Sequence, residues 1–457
     1  MRTFFGLALL ALLALGGVAA RLRPRPADPR TVPLVWASDD NPARRDQIDL
    51  YNRRHPGQTL SLDPNNTGLE KVVVQSIAGV GPDCFDAGEG SLSVLIAAGI
   101  VEDITDDLAR RGIVIERDTW PAVQSIVLRD GRAYGVPTNA AADAIFINKA
   151  MFREAGEPFP KTPWNWNELV SLAKRLTVRG PDGKAKRFGL LVDWNSWPGF
   201  VIQWGGEVFT PDGTRCVVDS PEAIAGVQFL HDLIYVHRVM PSPVEEAAIA
   251  ASGGWGSGVI TQFGGGRKAA MAFGGRWWLC TLRDRTQFPG LELTAVEAPT
   301  HAGRVFHGYG KGTFVNARSP RKEAALDLLA YMMGTEYGQL INDQADGLAP
   351  TRAVCYAPGY DRNPKFPEED YNAVWRATLE RSVPNKMSPY VNSQAANRIL
   401  TRQMDLVKND QKPVARALRD AAREVNAEIA ATLERNPALK AKWLAVRRAA
   451  DAKAGAR

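Results

Sequence analysis

Cysteine is scarce in this chain, with four residues in 457, and the four form no C-x-x-C pair and no Cys/His group at zinc spacing. That argues against a disulfide-dense scaffold and against a structural zinc site. Histidine is almost as rare: His55, His231, His237, His301 and His307 include no i, i+4 pair, and none is given a metal or general-base role. Past the N-terminus no apolar stretch approaches the roughly 20 residues that cross a bilayer as a helix. Clear internal repeats and sustained heptads are also missing. The net charge is +6, but its location removes its meaning. Residues 411–457 hold eleven Lys/Arg against five Asp/Glu, and the other 410 residues carry 45 of each sign. The body has no electrostatic footprint for a polyanion, so no nucleic-acid partner is expected, and the C-terminal excess reads as a solvated helical tail.

Catalytic signatures are missing too. Gly254-Trp255-Gly256-Ser257-Gly258 misplaces the serine of a hydrolase elbow, and Gly264-Gly265-Gly266-Arg267-Lys268-Ala269 lacks the spacing and hydroxyl of a phosphate loop. Gly308-Tyr309-Gly310-Lys311-Gly312 does not fit G-x-G-x-x-G and marks a turn. Carboxylate pairs such as Asp39/Asp40, Asp106/Asp107 and Glu245/Glu246 leave glycosidase chemistry open, because sequence does not supply their separation in space. No catalytic residue, metal or cofactor is assigned, and the chain is expected not to be an enzyme.

What is present starts with size: 457 residues, 45% hydrophobic and 23% charged, is globular composition over at least two domains. Met1-Arg2-Thr3, an apolar run from Phe4 to Val18 and the small-x-small Val18-Ala19-Ala20 read as a signal peptide over 1–20. Arg21, Arg23 and Arg25 follow directly in a Pro/Arg linker, 21–30, and leave an uncleaved anchor as the competing reading. With no cysteine near the cut there is no lipid-attachment site, and the expected location is the periplasm. From residue 31 strand and helix alternate: strands at 32–38, 59–63 and 83–87, helices at 42–55, 68–78 and 91–98. This predicts an α/β lobe with a largely parallel sheet. Further helices are punctuated by Asn165 with Glu168 three residues on, by Ser220-Pro221 and by Ser319-Pro320. The chain reads as mostly helical from about 366. Six of the twelve tryptophans (Trp194, Trp197, Trp204, Trp255, Trp277, Trp278) fall between 194 and 278 amid dense glycine, so some should face a cleft.

Four segments then combine. Gly135-Val136-Pro137 leads to Ile145-Phe146-Ile147-Asn148-Lys149, Phe152, Ala155-Gly156 and the run from Pro160 to Leu169. Gly266-Arg267-Lys268-Ala269-Ala270-Met271 is followed by Gly275 and Trp277. Ala324 to Leu329 and Gly347-Leu348-Ala349-Pro350 come later. In this order they resemble the extracellular solute-binding proteins of ABC importers, in the large carbohydrate-binding family that includes maltose-binding proteins. The resemblance implies a two-lobed α/β fold hinged by crossing strands, with the ligand in the cleft between lobes. It places the first lobe at 31–140 plus 297–345, and the second at 141–296 plus 346–457. It implies a mono- or oligosaccharide ligand, membrane permease subunits as partners and a monomeric chain.

Position by position, the resemblance puts ligand contacts at Ser38, Asp39 and Asp40 after the first strand and at Asp86 and Glu89 around the third. In the second lobe it puts them at Trp194, Asn195, Trp197, Gly275 and Trp277, with Trp278 as a neighbour free to turn the other way and Tyr309 near the hinge return. One of Asp39, Asp40 or Asn41 is equally a helix cap. Ile147 stands where many relatives carry tyrosine, which suggests a ligand other than maltodextrin. A polyamine or sugar phosphate (the latter through Arg276), an exported carbohydrate-active enzyme and a ligand-sensing subunit remain alternatives. Whether Cys216 and Cys280 pair is also open.

Overall fold

The structure, a computed structural model, describes residues 31–64, 68–249, 258–304 and 306–455. The expected signal peptide 1–20, the linker 21–30 and Trp255 with most of its glycine-rich loop lie outside the described residues. Strands β1 (Val32–Ala37), β2 (Gln58–Asp63) and β3 (Cys84–Ala87) alternate with helices Ala43–Arg54, Leu69–Ile77 and Leu92–Ala97. Next come β4 (Gly135–Pro137) and β5 (Asp143–Asn148). They are followed by β6 (Val178–Arg179), β7 (Ala185–Val192), β8 (Ala269–Gly275) and β9 (Leu293–Glu297). The last are β10 (His307–Gly308), β11 (Gly312–Val315) and β12 (Val383–Pro384).

Two five-stranded sheets result. The first runs β2-β1-β3-β11-β4 and the second β9-β5-β8-β7-β6. In the first, β1 pairs parallel with β2 and β3, as alternating strands and helices require, while β11 runs antiparallel between β3 and β4. In the second, β8 is parallel to β7, and β5 runs antiparallel between β8 and β9. The register therefore gathers Ala37, Ala87, Pro137 and Gly312 at one edge of the first sheet. Asp143, Val192, Gly275 and Glu297 gather at one edge of the second. The chain crosses between sheets at 138–142 and 298–311. Bridges Ala141–Tyr309 and Ala140–Leu348 tie these crossings to each other and to the 346–350 turn.

Local sequence explains the elements. Strand β5 is buried at all six positions, as expected of a central strand covered on both faces, and its one acid, Asp143, stands at the inter-lobe end. Asn165 caps helix Trp166–Leu176 in a complete capping box with Glu168, and Trp166, Leu169, Val170, Ala173 and Leu176 form the buried face. Ser220 caps Pro221–Tyr235. The helix expected at Ser319 starts later, at Lys322, because the Ser319 hydroxyl is spent on Asp83 and on the amide of Arg321. Past the 346–350 turn the chain crosses a third time: Trp375 packs on Phe146 of β5 at 5.1 Å and donates to the Gly274 carbonyl, so helix Ala373–Arg381 lies on the second sheet. Helices Ser393–Lys408 and Val414–Arg435 bury Leu400, Met404, Leu418 and Val425 in the core of the second lobe. No described helix is long and apolar enough to cross a membrane. The four cysteines are all free; the Cys216 amide donates to Asn426 Oδ1 at 2.9 Å while the Cys280 thiol donates to the Gln344 carbonyl at 3.2 Å, so the two do not pair.

Candidate functional site

The inter-lobe edge of the second sheet carries the aromatic part of the site. Strand β8 ends in Gly274-Gly275, and the chain turns at once into the short helix Arg276–Trp278. A Cβ on Gly274 would collide with the Trp278 ring, and one on Gly275 with the Tyr309 hydroxyl and the Trp277 indole. The paired glycines thus let two neighbouring indoles leave the strand in different directions, their planes 77° apart. Trp278 turns inward, 3% exposed and stacked on Phe146 at 5.6 Å, so it is a core residue and not the ligand contact expected of it. Trp277 stays half-buried, and its Nε1 donates to the Tyr309 hydroxyl at 3.2 Å.

Tyr309 in turn donates to Asp143 Oδ1 at 2.7 Å. Burial pushes the Asp143 carboxyl up to about 7 against the Tyr309 bond, and the nearby Asp193 charge pushes it the same way. Burial and Asp143 raise the Tyr309 phenol well above its usual value. Asp193 caps the turn after β7 by accepting from the amide of Asn195, which is exposed. Trp194 and Trp197 beside it are 6% and 8% exposed and belong mainly to the second core, although the Trp194 Nε1 is buried without a partner. Asp143, Asp193 and Lys311 were not singled out from sequence. Only the position of Asp193, next to Trp194-Asn195, signalled its role. The position of Asp143 depends on sheet register, which the sequence does not display.

The first lobe supplies the polar side, but much of it is already engaged. Ser38, 1% exposed, donates to Asp86 at 2.6 Å and accepts from Arg44 Nε at 3.2 Å. Asp86 also accepts from Trp36 Nε1 and Thr313 Oγ1, at 2.8 and 2.7 Å. These two residues build the floor, and neither offers a free group to a ligand. Asp39 is more open, with a third of its side chain exposed, and is held by Arg44 at 2.9 Å and Lys311 at 2.6 Å. Burial pushes its pKa up, and the two cations more than reverse this, leaving it below the usual value. Asp40 is exposed and lines a separate surface hollow with Asn41 and Arg45. The cap of the following helix falls to Asn41, whose Oδ1 accepts from the amide of Ala43 at 2.9 Å.

Glu89, in the loop after β3, is the unspent acid of this lobe. One oxygen accepts from Asn385 at 2.8 Å, and the other is buried with no partner. Burial raises its pKa to about 7, against the Asn385 bond. Arg276 is 1% exposed and fully occupied by Asn372 and by the carbonyls of Gly347 and Asn342, so it is not available to a phosphate. Among the described residues no group of three His, Cys, Asp or Glu is arranged to hold a metal ion.

Two α/β lobes, three crossing segments and an aromatic–carboxylate cluster at the facing sheet edges define a two-lobed binding protein. The family model for bacterial extracellular solute-binding proteins matches residues 37–339, and the chain belongs to that family. An arabinooligosaccharide-binding protein of Halalkalibacterium halodurans is 27% identical over 211 residues, covering 45% of each chain. That match thus spans just under half of the relative's length. One of the same name from Bacillus subtilis is 21% identical over 399 residues, covering 83% of this chain and 88% of the relative. Among solved structures, an ABC substrate-binding protein of Listeria monocytogenes in complex with cycloalternan superposes with a TM-score of 0.74. It is 20% identical and covers 87% of this chain and 98% of that one. A maltose-bound protein of T. maritima reaches 0.69, also at 20% identity, over 87% and 100% of the two chains.

Proposed function

We propose that the protein captures a carbohydrate between its lobes by hinge closure and delivers it, chemically unchanged, to the permease of an ABC importer. It works as a monomer in the periplasm. The observation that carries this reading is the hydrogen-bonded chain Trp277–Tyr309–Asp143 at the inter-lobe edge of the second sheet, with Asp39 and Glu89 in the loops that follow β1 and β3 of the first. A sugar presents apolar C–H faces and a rim of hydroxyls. An indole face suits the first, with about 0.5–1.5 kcal/mol from an aromatic contact beyond area burial. Hydrogen bonds to charged groups suit the second, at about 1.5–3 kcal/mol each. Relatives named for arabinooligosaccharides and neighbours holding cycloalternan and maltose support the same class. Contacts made from both lobes at once favour the closed state by their differential affinity, the only way a ligand can drive closure.

Isothermal titration with arabinose, glucose and their oligosaccharides tests the reading. The expected result is saturable binding of at least one of them, weakened at least tenfold (about 1.4 kcal/mol) by Trp277→Ala with the melting temperature retained. Equal affinity in the variant would remove Trp277 from the site.

A further inference from the structure

The last helix carries nearly all of the chain's net charge. Residues 437–457 hold six Lys/Arg against the single acid Asp451, while the other 436 residues hold 50 against 49. A solvated tail is the expectation for this segment, but the structure docks it. The helix runs Pro437–Gly455, about 28 Å at 1.5 Å per residue, and starts where Asn436 Oδ1 accepts from the amide of Leu439 at 3.0 Å. Leu439 and Trp443 pack against the core of the second lobe, and the Trp443 Nε1 donates to the Thr214 carbonyl at 3.0 Å. One face is thereby fixed to the body, and the other is turned to solvent.

The outer face is basic around an apolar centre. Lys440, Lys442, Arg447 and Arg448 are exposed, and Leu444 is exposed among them at 40%. Lys440 precedes Leu444 by four residues, and Arg447 and Arg448 follow it by three and four, which puts all three beside it on the helix surface. Arg447 also lies over the Trp443 ring at 4.9 Å. None of the four cations has an ion-pair partner among the described residues. The preceding helix, Val414–Arg435, is arranged differently: its Asp420 holds Lys412 and Arg423, Glu424 holds Arg402, and Glu428 holds Arg435. Helix stability does not call for the pattern either. Lys440 stands at the end of the first turn, where a cation opposes the helix macrodipole, and no acid lies three or four residues from Lys440 or Lys442.

We propose that this face is a docking surface for an anionic lipid bilayer. The complementarity is one of charge and polarity: lipid phosphates take the four cations, and Leu444 enters the headgroup boundary between them, as a basic amphipathic helix lies on a membrane. One leucine and a few cations give a reversible, salt-sensitive association and not an anchor. That suits a carrier which must leave a bilayer-embedded permease and return to it. The surface involves none of the candidate ligand residues and holds whatever the ligand is.

The test is co-sedimentation of the mature chain, residues 21–457, with vesicles of phosphatidylethanolamine containing about 30% phosphatidylglycerol, against vesicles of phosphatidylcholine. Binding is expected on the anionic vesicles at about 20 mM salt, at least tenfold weaker at about 300 mM, and missing on phosphatidylcholine. The combined variant Lys440→Glu, Lys442→Glu and Arg448→Glu, which leaves Arg447 on its tryptophan, should weaken vesicle binding at least tenfold with an unchanged melting temperature. Leu444→Ser should weaken it about threefold. Arg21→Ser, Arg23→Ser, Arg25→Ser and Arg30→Ser together, which discharge the linker, should change it less than about twofold. No binding to anionic vesicles, equal binding to phosphatidylcholine, or a folded charge-reversed variant that binds like the parent would overturn the proposal. So would loss of binding in the linker variant alone. Soluble polyglutamate bound as tightly as the vesicles at the same salt would make the partner an acidic protein surface and overturn the lipid assignment.

Discussion

Asp143 and Glu89 are carboxyls that burial holds near 7, far above their values in an unfolded chain. Between about pH 4 and pH 7 the folded protein therefore keeps protons that the unfolded chain has released. Stability is greatest at the acid end of this window, falls as pH rises through it, and levels off above about 7. Each fully shifted group contributes a slope of roughly 1.4 kcal/mol per pH unit. Urea midpoints measured from pH 4.5 to 8 should show this fall, and Asp143→Asn or Glu89→Gln should flatten it; an unchanged profile in both variants would mean neither group is buried as described. Gly275 makes a second prediction at this scale. Gly275→Ala should displace Tyr309 and Trp277 together, shifting tryptophan emission and weakening ligand binding at least tenfold. The expected role of Trp277 rested on its place in a motif, and the two glycines before it explain its geometry. Trp278 was not separable from it in sequence, because adjacent indoles differ only in which way the turn sends them.

The first helix, Ala43–Arg54, is fastened through one buried network. Arg44, 1% exposed, pairs with Asp346 and Asp39, and Asn41 donates to Asp346 at 2.9 Å. This joins the loop after β1 to the turn at the third crossing. Asp346→Ala leaves a buried guanidinium short of its partner and should cost about 3–5 kcal/mol in chemical denaturation. A loss under about 1 kcal/mol would show that Asp39 alone satisfies Arg44. At this scale the sequence was informative wherever the signal is local. The early strands and helices, and the caps at Asn165 and Ser220, lie where periodicity and capping chemistry put them. It was silent where the signal is long-range. Asp143, Asp193, Lys311 and Asn385 reach the site only through register and crossover, and Ser38 and Asp86 look like ligand contacts until their hydrogen bonds to each other are seen.

Across the whole molecule, two cores are joined by segments at 138–142, 298–311 and 346–350, and the facing sheet edges hold the candidate contacts. Closure around a ligand should reduce the radius of gyration in solution scattering when a bound sugar is added, and Trp277→Ala should blunt the change at the same sugar concentration. The central claim is that an intact carbohydrate is bound between the lobes. It is tested most directly by tryptophan fluorescence and thermal shift against mono- and oligosaccharides, with the sugar analysed afterwards. The account predicts a saturable fluorescence change and a melting temperature that climbs with sugar concentration, reaching about 2.7 kcal/mol of stabilisation at a hundred times Kd, with the sugar recovered whole. No response to any sugar, or recovery of cleaved sugar, would contradict it.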